Sequence, residues 1–534
     1  MLTLKAPLLS ALIVGLLTAC ATGERVPGKE QLGDVRFEVS CSAEAPQKFR
    51  RAMALYHSFD WGRGKAAFSE IAQADPRCAM AYWGLAMIAS DNPFGWPVSL
   101  KLKEGAAAVQ KAKEVGAGTQ RERDYIDALT LLYKDHAQTP HRARALAYEQ
   151  AMEKVAARYP DDVEARILYA LAVSANHDLN DKTFARPLKA ARLLDPLFKS
   201  YPKHPGVAHY LIHSYDFPPI ADKGLEAAQR YAKVAPDAAH AQHMPSHIFT
   251  RVGYWRESIA ANKGSQEAAK GAMASTTHAG DYMMYAYLQL AEDALAERVW
   301  AQSKTLSPMK NPNLAVTFGF AAMPSRLALE RGRWSEAAKL ELHPAISEAH
   351  WKRFPQAVSV LVYASAIGAA RAGDVAGARR HIDRLNQLRA ALTARKLGYW
   401  AEQTEVQAKV ATAWALRAEG KHAEALVQMR AVADHEDRTE KHVVTPGPIL
   451  PARELLGDML MELNMPKEAL KEYEASMAKE RNRFRGLYGA ALAAERAGDR
   501  TRASAYYEKL ASMCAQSDGR RAELVRARQL ISQH

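Results

Sequence analysis

The sequence predicts an all-α repeat protein, and three observations support that prediction. Apolar residues follow a helical period from about Gln47 to Ser532. Strand signals are nearly absent, because no alternating runs of Val, Ile and Thr are bounded by turns. Units with a Gly turn, an Ala near a helix start and a closing Pro recur, and Pro202 and Pro236 are 34 residues apart. Such a chain folds as an array of helix pairs.

Composition excludes several classes of protein. The 534 residues are 48% hydrophobic and 25% charged, which is typical of a folded soluble protein and excludes wholesale disorder. The formal net charge is +13, but the basic residues are scattered, so we predict a solvated surface and no nucleic-acid partner. Four cysteines in this length exclude a disulfide-dense scaffold.

Residues 1–19 have the pattern of a cleaved export signal, with Lys5 before a short apolar stretch that ends in LTAC. The LTAC ending resembles the bacterial lipobox. That resemblance implies a diacylated Cys20 that anchors the protein in a membrane of the cell envelope. Ala21 is not the Asp that retains lipoproteins at the inner membrane, which favours the outer membrane, facing the periplasm. Residues 20–44 would then be the lipidated cysteine and a tether.

An oxidising periplasm permits disulfides, and three cysteines remain beyond Cys20. Cys41 precedes the first repeat and Cys78 lies at the junction to the second, so a bridge between them is geometrically reasonable. Closing this loop of ~37 residues stabilises a fold by about 3–4 kcal/mol in the chain-entropy view. The alternative is two unpaired buried cysteines, and Cys514 is expected to be a buried thiol.

The repeated units resemble the tetratricopeptide repeat (TPR) family, as in GRWSEAAKL (332–340) and GDRTRASAYYEKL (498–510). The resemblance implies a right-handed superhelical solenoid of antiparallel helix pairs, with roughly ten hairpins. It also implies that the first helix of each pair lines a concave groove. Along the chain we predict a TPR-like array with a His-lined groove over 45–305, middle repeats over 306–434, and a loop with C-terminal repeats and a capping helix over 435–534.

The 34-residue period breaks at 90–120, near 307–313 and at 434–451. The last break is rich in charge and contains His435 and His442. We interpret it as a solvated insertion rather than a site.

Histidines concentrate between His204 and His247, where six of the 18 lie. Aligning the repeats on Pro202 and Pro236 places two H-x-x-x-H pairs one repeat apart, His209 with His213 and His243 with His247. Residues four apart share a helix face, so each pair presents two imidazoles together. The same register adds Asp216 and His240 to the groove, and a less secure alignment adds His278, Asp281 and Tyr285.

Three interpretations of this patch remain open. His209, His213, His243 and His247 could together bind a transition metal, since imidazole suits Zn, Cu, Ni and Fe. The polar groove could instead hold a peptide or an anion without metal. The rings could also simply pack between helices. No nucleotide-binding loop, H-E-x-x-H or G-x-S-x-G motif occurs, so catalytic residues stay unknown and an enzyme is disfavoured.

An internal comparison separates scaffold from site. MPSHIFTRVGYW (244–255) and MPSRLALERGRW (323–334) share Met-Pro-Ser, Gly and Trp at identical spacing. The prolines therefore indicate architecture, whereas the histidines are local, because Ala322 stands for His243 and Arg326 for His247.

The phrase AHAQHMPSHIF resembles one in bacterial TPR lipoproteins of unassigned function. We predict an envelope lipoprotein whose groove binds a protein segment, peptide or small ligand. The alternative is a metal-binding protein or metal-dependent enzyme.

Overall fold

The computed structural model describes residues 30–306 and 312–532, and within these ranges the protein is all-α. It has 27 α-helices, two short 3-10 helices at Pro93–Gly95 and Ala221–Gly224, and no strand among the described residues. The predicted fold class, an all-α superhelical repeat, is confirmed.

The helices follow one another with short connections. Helices α1–α13 are Ala45–His57, Trp61–Ala74, Ala79–Ala89, Leu102–Val115, Gln120–Tyr133, His141–Arg158, Val163–Ala175, Ala185–Ser200, Pro205–Tyr215, Leu225–Val234, Ala239–His243, Pro245–Val252 and Trp255–Ala268. Helices α14–α27 are Met273–Gln289, Asp293–Lys304, Leu314–Glu330, Trp334–Ala337, Glu348–Arg353, Pro355–Arg371, Val375–Ala394, Gly398–Ala418, His422–Asp437, Ala452–Glu462, Pro466–Lys479, Phe484–Arg496, Arg500–Met513 and Ala522–Ser532.

Neighbouring helices pack as twelve pairs, somewhat more than the roughly ten predicted. The pairs are α1/α2, α3/α4, α5/α6, α7/α8, α9/α10, α11–α12/α13, α14/α15, α16/α17, α19/α20, α21/α22, α23/α24 and α25/α26. The break predicted at 90–120 is only an insertion, because a 3-10 turn at Pro93–Gly95 lengthens the connection while α3 and α4 still pack together.

The chain curls tightly enough to meet itself twice. In the first half α1 packs against α9, and the backbone N–H of Asp34 donates to the carbonyl of Lys203 at 2.9 Å. In the second half α14 packs against α25. One apolar core accordingly spans residues 32–249 and another spans 291–527. The domain division expected at 305 stays a prediction.

The expected tether is wrong from residue 30 onward. Leu32, Val35 and Phe37 lie in a segment without regular secondary structure and are buried, with Phe37 inside the first core. The backbone N–H of Gln31 donates to the Asp237 carboxylate at 2.7 Å. Burial of these apolar side chains fixes the segment to the helices.

A disulfide joins Cys41 to Cys78, with their Cα atoms 5.0 Å apart. It ties the N-terminal segment to the start of α3. Cys514 is a buried free thiol.

The charged segment at 434–451 is not a solvated insertion. Residues 439–451, here called the inner loop, run inside the second half of the solenoid, and Thr445 and Leu450 are buried. Arg326 of α16 holds this loop by donating to the carbonyls of Pro448 (2.9 Å) and Gly447 (3.0 Å). His442 lies against the rings of Tyr399 and Trp400. The charged residues of this segment were expected to be exposed to solvent, because their partners lie far away in the sequence.

The predicted signal at 1–19 and the lipidated Cys20 lie outside the described residues, as does most of the break near 307–313. Across 30–306 and 312–532, no helix combines the length and apolar character that crossing a membrane requires.

Candidate metal centre

Six histidines on neighbouring helices form two adjacent triads. The first triad is His209 and His213 of α9 with His240 of α11, and the second triad is His243 of α11, His247 of α12 and His278 of α14. Within each triad, one ring nitrogen from each residue lies within 4.8 Å of the other two. The H-x-x-x-H spacing places each pair on one helix face, and packing of the helices supplies the third ring.

In the first triad, His209 is the centre. Its Nε2 lies 3.2 Å from His213 Nε2 and 3.2 Å from His240 Nε2. Aromatic rings hold the imidazoles in place, because Phe94 stacks on His213 at 3.7 Å between centroids and Phe59 stacks on His240 at 5.4 Å. His209 and His213 are buried, whereas His240 is partly exposed.

In the second triad, His243 Nε2 and His247 Nε2 face each other at 3.1 Å. The His278 ring lies 4.4 Å from the His243 ring and is partly exposed. The hydroxyl of Tyr282 lies 3.4 Å from His247 Nε2. Three helices and one phenol thus enclose a single small space.

In three of the six rings, a hydrogen bond at Nδ1 fixes which nitrogen carries the proton. His243 Nδ1 lies 2.6 Å from Asn262 Oδ1, and the Asn262 amide nitrogen donates to the Ser258 carbonyl, which leaves that Oδ1 as an acceptor. His247 Nδ1 donates to Asp216 Oδ2 at 2.9 Å, and His209 Nδ1 donates to the His57 carbonyl at 2.6 Å. A neutral imidazole has one N–H. The Nε2 atom of each of these three rings is therefore unprotonated and presents a lone pair.

Two bare lone pairs cannot hydrogen-bond each other, yet His243 Nε2 and His247 Nε2 are 3.1 Å apart. A metal ion between the two nitrogens resolves this conflict, because it accepts both lone pairs. Ligand nitrogens at 2.0–2.1 Å from a tetrahedral ion are about 3.3 Å from one another. The spacings of 3.1 and 3.2 Å in the two triads match that value.

Burial lowers the pKa of all six imidazoles, and neighbouring imidazoles lower it further in most of them. For His247 the carboxylate of Asp216 opposes this effect without reversing it. At neutral pH the rings are uncharged, which is the form that binds metal.

Asp216, the residue that follows α9, connects the second triad to two cations. Its carboxylate accepts from His247 and Arg251, and Lys441 of the inner loop lies 3.1 Å from Oδ2. Burial lowers the pKa of Lys441 to about 8, while Asp216 opposes that shift. A hydrogen-bonded carboxylate behind a metal-binding imidazole orients the ring and raises its basicity.

The structure groups the predicted residues differently from the sequence. The four histidines expected to share one ion are divided between two triads, and His240 and His278 complete them. Asp281 pairs instead with Arg326, and Tyr285 contacts Arg483. Successive residues on a helix diverge by about 100°, so Tyr282, four residues after His278, reaches the triad and Asp281 does not.

Sequence reasoning missed four contributors: Phe59, Asn262, Tyr282 and Lys441. Tyr282 carried a signal, since it shares a face with His278. Phe59 comes from the first hairpin, Asn262 from the partner helix α13 and Lys441 from the inner loop, and no local pattern marks them.

A third cluster differs in kind. His57 Nε2 and His204 Nε2 lie 2.9 and 2.7 Å from the two oxygens of Glu164, all buried. Each imidazole directs its Nε2 at a carboxylate oxygen here, so these nitrogens have partners without a metal, while His204 Nδ1 is buried without a hydrogen bond. Its His57 carbonyl supports His209.

A cavity of about 1040 Å³ opens beside the first triad. His240 lines it together with Phe59, Trp61 and Gln242. Three imidazoles with an open position are the ligand set of catalytic zinc sites, which keep a fourth position for water or substrate. The cavity gives such a position access from outside.

No known family model matches the chain, and no curated protein matches it either. Among solved structures it is similar to the Cut9–Hcn1 hetero-tetramer of the APC/C, at 11% identity, 93% of this chain, 77% of that chain and a TM-score of 0.36. It is also similar to the human IFIT1 dimer with m7Gppp-AAAA, at 12% identity, 82% of this chain, 90% of that chain and a TM-score of 0.40. The TPR domain of P58(IPK) is similar at 14% identity, 92% of this chain, 99% of that chain and a TM-score of 0.21. The likeness concerns the fold alone.

Proposed function

We propose that this protein binds transition metal, with one ion in each triad. The observation that carries the proposal is the 3.1 Å contact between His243 Nε2 and His247 Nε2, whose Nδ1 atoms are both committed as donors. A shared cation makes this arrangement favourable at neutral pH, because it binds both lone pairs, whereas burial lowers the pKa of both rings and disfavours a proton between them.

The ligand chemistry restricts the metal. Neutral imidazole suits Zn, Cu, Ni and Fe, whereas Ca and Mg prefer oxygen ligands. Three nitrogens and an open position suit a site that binds a further ligand rather than a closed structural site.

Elemental analysis of the protein, purified without a His tag after export to the periplasm, tests the proposal. We expect two equivalents of transition metal per chain. The double variants H209A/H213A and H243A/H247A should each retain one equivalent, and the quadruple variant none. As a matched control, H350A/H422A removes two histidines outside the triads and should retain both ions. Wild-type protein that binds no metal after incubation with Zn, Cu, Ni or Fe(II) overturns the proposal.

We further propose that the chain is an envelope lipoprotein, anchored at Cys20 and facing the periplasm from the outer membrane. The Cys41–Cys78 disulfide supports an oxidising compartment. Labelling with palmitate tests it. Wild type should carry label in the membrane fraction, and C20S should lose the label and appear in the soluble periplasmic fraction. Label retained in C20S contradicts the anchor.

Binding of a peptide or protein segment in the concave groove stays a prediction. The inner loop lies against α14 and α16, where Tyr282 and Arg326 donate to Thr445 and leave less surface there for a partner. A metal-dependent role therefore has the stronger physical support.

A further inference from the structure

We propose that the two triads form one dinuclear copper centre that binds dioxygen between its metals. This inference rests on the proposed function, since it requires both ions.

The two triads are interleaved rather than separate. His240 and His243 lie three residues apart on α11 but belong to different triads, and their ring centroids are 6.0 Å apart. His213 and His247 approach equally closely across α9 and α12. An ion bound to an imidazole lies about 3 Å from the ring centroid. Ions in both triads are therefore neighbours, at a spacing that a small ligand bridges.

The charge of the surroundings selects a monovalent metal. All six ligands are neutral imidazoles, and the nearby carboxylate of Asp216 is already paired with Arg251 and Lys441. The cost of burying an ion rises steeply with its charge, and two divalent ions side by side also repel each other. Copper is the metal among those suited to imidazole that has a stable monovalent state, and Cu(I) accepts three nitrogens.

Dioxygen is the ligand that this pair of ions can use. Each Cu(I) gives one electron, dioxygen takes both, and it is held as a dianionic peroxide with the oxygen–oxygen single bond intact and no proton transferred. The two negative charges of peroxide offset part of the charge of the two Cu(II) ions, because the six neutral imidazoles carry no negative charge. The reverse step returns both electrons to copper and releases dioxygen.

The route to the centre narrows from a cavity of mixed lining to a set of aromatic rings. The cavity of about 1040 Å³ has charged residues in its lining, Asp60 and Lys270 among them, but beside His240 the Phe59 ring stacks on Trp61 and on that imidazole. Phe94 covers His213. Apolar rings around the ions exclude bulk water while they admit dioxygen.

The test loads the full chain with Cu(I) under anaerobic conditions and then measures dioxygen uptake and electron paramagnetic resonance. We expect two copper ions per chain, one dioxygen taken up per two copper ions, and little Cu(II) signal, because two bridged Cu(II) ions couple their spins. H422A, an exposed site, is the matched control and should behave as wild type.

Disabling either triad separates a dinuclear centre from two independent ones. H278A and H240A each leave one complete triad, so each should lower dioxygen uptake at least tenfold and give the Cu(II) signal of an isolated ion in air. Two variants in different helices guard against a folding defect in one.

Wild-type protein that binds two copper ions but takes up no dioxygen overturns this inference alone. A Cu(II) signal approaching two spins per chain does the same. Protein that binds no copper or other transition metal overturns the proposed function as well.

Discussion

Helices α12 and α16 show how one scaffold supports two kinds of chemistry. Both carry Met-Pro-Ser with Gly and Trp at the same spacing, over 244–255 and 323–334. A Gly with positive φ follows both helices, Gly253 at 74° directly after α12 and Gly332 at 62° two residues after α16, where other side chains are strained. Pro245 begins α12, whereas Pro324 lies inside a continuous α16.

The residue after Met-Pro-Ser differs, and so does its task. His247 in α12 donates to Asp216 and turns a bare Nε2 toward His243. Arg326 in α16 pairs with buried Asp281 at 2.8 Å, and its other N–H groups donate to the inner loop.

The two sites differ in whether their own residues supply both the donors and the acceptors that the site requires. Arg326 donates to Asp281 and to the inner loop, so the α16 site contains both a cation and an anion and needs no added cation, although Asp281 Oδ2 accepts no hydrogen bond. Imidazoles whose Nδ1 atoms are already engaged present only acceptors, so the α12 site needs a cation. The predictions below test this distinction.

Removing Arg326 should have the largest effect. R326M leaves the buried Asp281 without its cation and deprives the inner loop of its anchor. Loss of one partner of a buried pair costs about 3–5 kcal/mol. We expect this decrease in the free energy of unfolding, measured by urea denaturation at pH 7.5, with the metal content unchanged.

The double variant D281N/R326M provides the control. It removes the stranded charge and should recover much of the lost stability. Equal destabilisation in the single and double variants contradicts the view that the pair completes itself.

Exchanging the two residues is the next test. H247R places a guanidinium beside Arg251 and Lys441, which should cost about 1–3 kcal/mol and abolish the second triad, so that one of two metal equivalents is lost. R326H should gain no metal, because Ala322 occupies the position in α16 that corresponds to His243 of α11. Two metal equivalents in H247R, or a third equivalent in R326H, contradict the assignment.

A smaller effect is expected from Asn262, which touches His243 only on its Nδ1 side. N262A removes the acceptor that fixes the tautomer. Loss of such a support typically weakens metal affinity about 10–100-fold. Competition with a chelator should show this weakening for one equivalent only, because the first triad relies on the His57 carbonyl. Equal weakening of both equivalents points to a general distortion.

The sequence predicted the fold well and the site in part. The 34-residue period and the Gly turns indicate helix pairs because they are local features. The register likewise placed His209, His213, His243 and His247 on common faces. It also placed His240 and His278 in the groove, but it could not assign them to separate triads, because that grouping depends on packing between helices.

The inner loop illustrates a second limit of sequence reasoning. Its charges were interpreted as solvated, but Glu440 pairs with Lys182, and Lys441 pairs with Asp216. These partners are separated by more than two hundred residues. Only the closed curl of the helices brings them together, and no local pattern encodes that curvature.

The smallest expected effect concerns Glu436, near the point where α22 leads into the inner loop. Burial raises the pKa of this carboxyl to about 7, although the backbone N–H of Ala452 donates to it. The folded state therefore binds more protons than the unfolded state between the unfolded pKa, about 4.3, and about 7. Stability from this group is present below that window and is lost as the pH rises through it.

E436Q keeps an acceptor for Ala452 and removes the titration. We expect E436Q to be about 1 kcal/mol more stable than wild type at pH 8 and nearly equal at pH 5, a modest gain because the side chain is only partly buried. Urea denaturation at both pH values measures it, with E424Q, an exposed site on α22, as the control. A gain of the same size at both pH values assigns the effect to packing. A gain confined to pH 8 shows that the Glu436 carboxylate is a buried negative charge without a compensating cation. The second half of the molecule then also contains an uncompensated group, so the difference from the histidine triads is one of degree.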